Sequence, residues 1–153
     1  MTVEELDTFL RAANQATYAN AEAPKSASLR PGSEDYHFEL GNLSFHDTYF
    51  GGRDFMGEEV IYENGVPVWG MNYYGRVLGE DVASEEVYRT LRPALLQDTG
   101  SLLPVRGPAE YSDGDNSYTN AQEGTLESFS GEEKVFVRGK LAYSCVYHGG
   151  AIT

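Results

Sequence analysis

Gly57-Glu58-Glu59-Val60-Ile61-Tyr62-Glu63-Asn64-Gly65-Val66-Pro67-Val68-Trp69-Gly70-Met71-Asn72-Tyr73-Tyr74-Gly75 decides the fold, because a variant of it returns as Gly131-Glu132-Glu133-Lys134-Val135-Phe136-Val137-Arg138-Gly139-Lys140-Leu141-Ala142-Tyr143-Ser144-Cys145-Val146-Tyr147-His148-Gly149. Both stretches open on Gly-Glu-Glu, turn at a glycine (Gly65, Gly139) and close on Tyr-x-Gly. Working outward, Gly41, Ser44 and Gly51 answer to Gly114, Ser117 and Gly124, with one extra residue in the second copy around Ser130. Conservative matches fall between them: Phe45/Tyr118, Asp47/Asn120, Met56/Phe129, Ile61/Val135, Tyr62/Phe136 and Trp69/Tyr143. Further upstream, Glu4-Glu5-Leu6 pairs with Glu85-Glu86-Val87, and Leu10-Arg11 with Leu91-Arg92. Ordered agreement of this kind predicts an internal duplication.

Each copy reads as a helix followed by about four strands. Val3, Leu6, Phe9, Leu10 and Ala13 recur at helical spacing, and Thr2 with Glu5 forms a capping box. The second helix begins near Ser84, with Glu85 and Glu86 at its positive end; Pro93 should kink or end it. Gly41-Asn42, Asn64-Gly65, Gly114-Asp115 and Arg138-Gly139 separate alternating runs and read as hairpin turns. Alternation puts Trp69, Met71 and Tyr73 on one face, and Leu141, Tyr143, Cys145 and Tyr147 on the matching face. The expected fold class is therefore α+β. Two tandem helix-plus-four-strand (αββββ) repeats, about residues 3–76 and 84–150, would form one antiparallel-sheet domain over 1–153 with pseudo-two-fold symmetry.

A net charge of −13, from 24 acidic against 11 basic residues, opposes a nucleic-acid backbone and an anionic membrane alike. Neither partner is expected. A single cysteine, Cys145, excludes an intrachain disulfide, and the acidic start is the wrong chemistry for a signal peptide. A cytoplasmic location is the expectation. The three histidines and the cysteine have no metal-ligand spacing, so neither a metal nor a cofactor is expected.

The most informative oddity is Asp47, which shares its face with Phe45 and Tyr49. A carboxylate on an apolar face needs a partner, and the second copy also carries a polar residue, Asn120, at that place. Within Gly57-Glu58-Glu59 and Gly131-Glu132-Glu133 one glutamate of each pair should point inward. Two inward carboxylates from opposite copies would make an acid/base pair. Arg53, in the Gly51-Gly52-Arg53 loop, is an anion hook with no counterpart in the second copy. Asp47, Tyr49, Arg53, Glu58, Trp69, Asn72, Tyr73 and Asn120 are the candidate ligand-binding residues. Asp47 and Asn120 would fix polar groups, the aromatics would stack, and Arg53 would hold a negative group.

Asp47-Thr48-Tyr49-Phe50-Gly51-Gly52, Phe55-Met56-Gly57-Glu58-Glu59, the block from Gly65 to Tyr73 and Tyr147-His148-Gly149-Gly150 resemble a bacterial family of domains of unknown function. Its members occur alone or behind a helix-turn-helix DNA-binding domain. The resemblance runs from about Glu4 to Ile152, transfers no activity, and implies by analogy a sensing or interaction role. The leading expectation is an uncharacterised domain that senses or sequesters a small molecule in an aromatic, partly polar cavity. Two alternatives stand beside it. One is a hydrolase or isomerase using Asp47 or Glu58 with Glu132. The other is a protein-interaction module, as a homodimer or with its acidic surface on a basic partner.

Overall fold

The structure, a computed structural model, describes residues 2–98, 100 and 103–153. Ten elements follow one another: α1 (Val3–Ala16), β1 (Glu34–Leu40), β2 (Leu43–Gly51), β3 (Asp54–Glu63), β4 (Val66–Val77), α2 (Ser84–Leu95), β5 (Glu110–Asp113), β6 (Asn116–Thr125), β7 (Ser128–Val137) and β8 (Lys140–Ala151). The protein is α+β, with two helices and an open eight-stranded antiparallel sheet in the order β1-β2-β3-β4-β8-β7-β6-β5.

The helices form for the reasons their sequences give. Thr2 accepts from the Glu5 amide at 3.2 Å while the Glu5 carboxylate accepts from the Thr2 amide at 2.7 Å, closing the capping box of α1. Leu6, Phe9, Leu10 and Ala13 make its buried stripe, and Val87, Leu91, Ala94 and Leu95 that of α2. Burying each large apolar side chain stabilises by about 1.5–3 kcal/mol. Pro93 lies in the last turn of α2, which stops at Leu95. Both helices pack on the face that carries Phe45, Ile61, Trp69, Met71, Val135, Tyr143 and Cys145, so the core lies between helices and sheet.

The sheet's two four-stranded halves meet where β4 pairs with β8, centred on Tyr73↔Tyr147. Around that pair the register is reciprocal: Met71 faces Gly149 as Gly75 faces Cys145, and Trp69 faces Ala151 as Val77 faces Tyr143. Ring contacts repeat in the same way. Phe55 stacks on Tyr143 and tilts against Tyr73, while Phe129 stacks on Trp69 and tilts against Tyr147. This pairs Phe129 with Phe55 rather than with Met56. The β6–β7 turn is one residue longer than the β2–β3 turn, and this, not Ser130, is where the lengths of the two halves differ, since Gly51 faces Phe55 and Gly124 faces Phe129.

A register shift between Ile61 and Tyr62 recurs between Val135 and Phe136. The bulge resets the alternation of β8, so Ala142 is buried and Leu141 is 43% exposed, against the expectation that Leu141 shares the face of Tyr143.

Candidate functional site

On the helix-covered face of the first half, Asp47 and Glu59 stand directly opposite one another across β2 and β3. The Tyr73 hydroxyl, one strand further, donates to Asp47 Oδ1 at 2.7 Å. Tyr73 reaches that point because Gly57 lies opposite it in the register; a Cβ at Gly57 would run into the phenol. Arg106 comes in from the loop before β5. Its backbone has φ 79°, a left-handed conformation that costs a non-glycine residue about 1–2 kcal/mol. In return its guanidinium sits over the Tyr73 ring, 5.2 Å from the centroid, and between the two inward glutamates.

Those two glutamates are at matching places and have different company. Glu133 is fully buried, and all its company is protein: Arg106 Nε donates to it at 2.9 Å, Tyr118 at 2.8 Å and Tyr143 at 2.9 Å. In the first half the residues matching those tyrosines are Phe45 and Trp69. Phe45 has no hydroxyl, and the Trp69 indole donates instead to the Leu126 carbonyl at 2.9 Å. Among the described residues Glu59 therefore has only Arg106 Nη1, at 3.7 Å, and its carboxyl opens into a cavity.

That cavity has a volume of about 380 Å³. Asp47, Glu59, Tyr73 and Arg106 line its floor, and Tyr18, Tyr49, Phe55 and Tyr88 supply aromatic walls. Ser84, Tyr88 and Arg92 recur every four residues along α2 and form its roof. At the mouth the Tyr88 hydroxyl donates to the Gly52 carbonyl at 3.1 Å. Arg53 is spread over the carbonyls of Val82 at 2.9 Å and Gly79 at 2.6 Å. Burial pushes Glu59 up to about 8, aided by Asp47 and Glu133 and opposed by Arg106. Burial also raises Asp47 to about 6, against the pull of the Tyr73 hydrogen bond and Arg106. Burial thus holds both carboxyls of the floor above the ordinary carboxylate range, Glu59 further than Asp47.

The family described as Domain of unknown function (DUF5680) matches residues 47–152, more than two thirds of the chain. The protein belongs to the DUF5680 family. No curated protein and no solved structure matches the chain.

The matched span of this DUF5680 chain holds every cavity residue named above except Tyr18. Of the eight residues singled out in the sequence, Asp47, Tyr49, Arg53 and Tyr73 come together here. The other four lie elsewhere. Glu58 points to the opposite face of β3, where it pairs with Arg30 at 2.6 Å; its side chain is 41% exposed against 13% for Glu59. Asn72 is exposed on that outer face for the same period-two reason. Trp69 is core, stacked on Phe129. Asn120 is buried in the second half, where it accepts from Tyr147 at 2.6 Å and donates to the Val105 and Gly107 carbonyls at 3.0 Å.

Sequence reading missed Glu59 as the cavity glutamate. The signal was available, because Glu59 shares parity with Ile61 and Gly57 on the buried face. It also missed Tyr18, Tyr88 and Arg92, which reach the site by tertiary packing. Among the described residues no group of His, Cys, Asp or Glu is arranged to hold a metal ion, and no helix is long and apolar enough to cross a membrane.

Proposed function

We propose that this chain is a small-molecule-binding domain made from a duplicated αββββ unit, in which the sheet of the first copy and the helix of the second enclose a cavity for a planar, amphipathic ligand. The reciprocal register about Tyr73↔Tyr147 and the repeated bulges and ring stacks support the duplication. One observation carries the binding reading: Glu133 is fully satisfied by protein, whereas its counterpart Glu59 faces an aromatic cavity without the two hydroxyls that position calls for. A buried carboxyl in that state favours a ligand that completes its hydrogen bonds. Tyrosines on the cavity wall suit a flat ring, each offering an apolar face and a polar edge. The resemblance to domains that follow DNA readers supports a sensing use of such a cavity.

Thermal-shift screening against planar metabolites is the test. Ligand at ~100 times Kd should stabilise the wild type by about 2.7 kcal/mol, and the shift should shrink in Glu59→Ala and Asp47→Ala. A library that leaves the wild type unmoved, or hits that move Glu59→Ala equally, would sink the reading.

A second reading, catalysis by a hydrolase or isomerase, is favoured by one feature. Asp47 and Glu59 face each other across two strands and are pushed to different points, about 6 and about 8, as a base and an acid would be. Mass spectrometry of bound hits after long incubation separates the two. A chemically altered hit, lost in Asp47→Asn, means turnover; an unaltered one means binding alone.

A further inference from the structure

Three arginines face the cavity, and they differ in what they already hold. Arg106 is committed to Glu133 and leans towards Glu59. Arg53 spends its guanidinium on the backbone carbonyls of Val77, Gly79 and Val82. Arg92 makes no ion pair among the described residues, and its Nε is buried with no hydrogen-bond partner. The rings of Tyr18, at 5.1 Å, and Tyr88, at 6.0 Å, fix the Arg92 guanidinium in place. Such contacts satisfy its charge in part and leave its N–H donors free. Holding a rigid fork of donors at the wall of a cavity is how proteins take planar oxyanions.

We infer that Arg92 is the seat for an anionic group of the ligand, a carboxylate or a phosphate attached to a planar aromatic body. The inference rests on the binding reading above and narrows it to a charge class.

Helix geometry sets the layout. Ser84, Tyr88 and Arg92 span two turns of α2, about 12 Å. A ring stacked among Tyr18, Tyr49, Tyr73 and Tyr88 therefore lies within reach of Arg92 on one side and of Glu59 and Asp47 on the floor. Local charge agrees with the assignment. The chain carries −13 overall, yet the roof and mouth of this cavity present Arg53 and Arg92 with no carboxylate paired to either among the described residues.

The test uses 2-naphthoate and its uncharged partner 2-naphthamide, which share a ring and differ in the headgroup. Titration calorimetry at pH 7 should give naphthoate at least tenfold tighter binding than the amide on wild type. Arg92→Met should erase that preference while leaving the amide's affinity within about twofold, and Arg92→Lys should keep part of it. Circular dichroism of each variant verifies the fold. Glu58→Gln, on the outer face, should change nothing. A small inorganic phosphate titration, competing with naphthoate only when Arg92 is present, would extend the seat to phosphate. Equal affinity for both naphthalene probes on wild type overturns the anion seat and leaves the binding reading standing. A naphthoate preference that survives Arg92→Met also overturns it, by placing the seat elsewhere. Failure of both probes to bind at millimolar concentration counts against the seat and the cavity together.

Discussion

Glu59 sits where a carboxylate is expensive: among rings, opposite Asp47, with Arg106 at 3.7 Å. An unfolded glutamate releases its proton near the ordinary value of about 4.3, whereas in the fold Glu59 keeps it up to about 8. The sign follows directly. Below about pH 4 the group is protonated folded or unfolded, and its contribution is fully present; it is lost as pH rises through 8. Asp47, raised to about 6, adds the same trend over a lower window. Glu59→Gln removes the ionisation and keeps the shape. The variant should therefore gain on the wild type as pH rises from 5 to 8.5, by about 1–3 kcal/mol or several degrees in Tm. Differential scanning fluorimetry across that range measures it. A Tm difference that stays flat with pH would mean Glu59 is not a buried proton holder.

Elements explain why some of this was legible in sequence and some was not. Hairpin turns were readable because Asn64-Gly65 and Arg138-Gly139 have the left-handed backbone that such turns require, with φ from 50° to 79°. Helix α1 was readable from its stripe and its capping box. Bulges were not: the pattern in Leu141-Ala142-Tyr143 looks regular, and only the pairing with β7 shows that Ala142 is the extra residue that shifts it. Arg106 was unreadable too, since nothing local in Pro104-Val105-Arg106-Gly107 tells that its side chain will bridge glutamates from both halves. Glycines inside strands carry a tighter message. Gly57 and Gly131 leave room for the Tyr73 and Tyr147 phenols that reach Asp47 and Asn120. Alanine at either place should cost about 1–3 kcal/mol by overpacking. Gly57→Ala should also weaken ligand binding, because it displaces Tyr73 from the cavity floor. Gly131→Ala should cost stability alone. Urea unfolding alongside titration with a screening hit distinguishes them. Equal loss of affinity in both variants would mean that Tyr147 bears on the site as Tyr73 does.

At the scale of the whole molecule, the two halves are tied by more than the β4–β8 ladder. Trp69 in the first half donates to Leu126 in the second, and Arg106 from the second half reaches into the cavity of the first. Leu78, just past β4, bonds to Ala142 at 2.8 Å. Each link buries a polar group whose partner is across the seam, so opening one half strands groups in the other. Two halves joined only by a ladder could melt separately. Here unfolding should be a single cooperative event. The sole tryptophan, Trp69, is in the first half, while far-UV circular dichroism samples both, so the two probes read different regions. Their urea transitions should coincide, with a slope in the range expected for a 153-residue chain, about 1–3 kcal/mol per molar. Residues 1–78 expressed alone should not give a folded species, because they lack the strand beside β4 and the arginine beneath Glu59. Two separated transitions, or a folded half, would break the link drawn here between the seam and the cavity, since the site would then survive without the half that completes its floor.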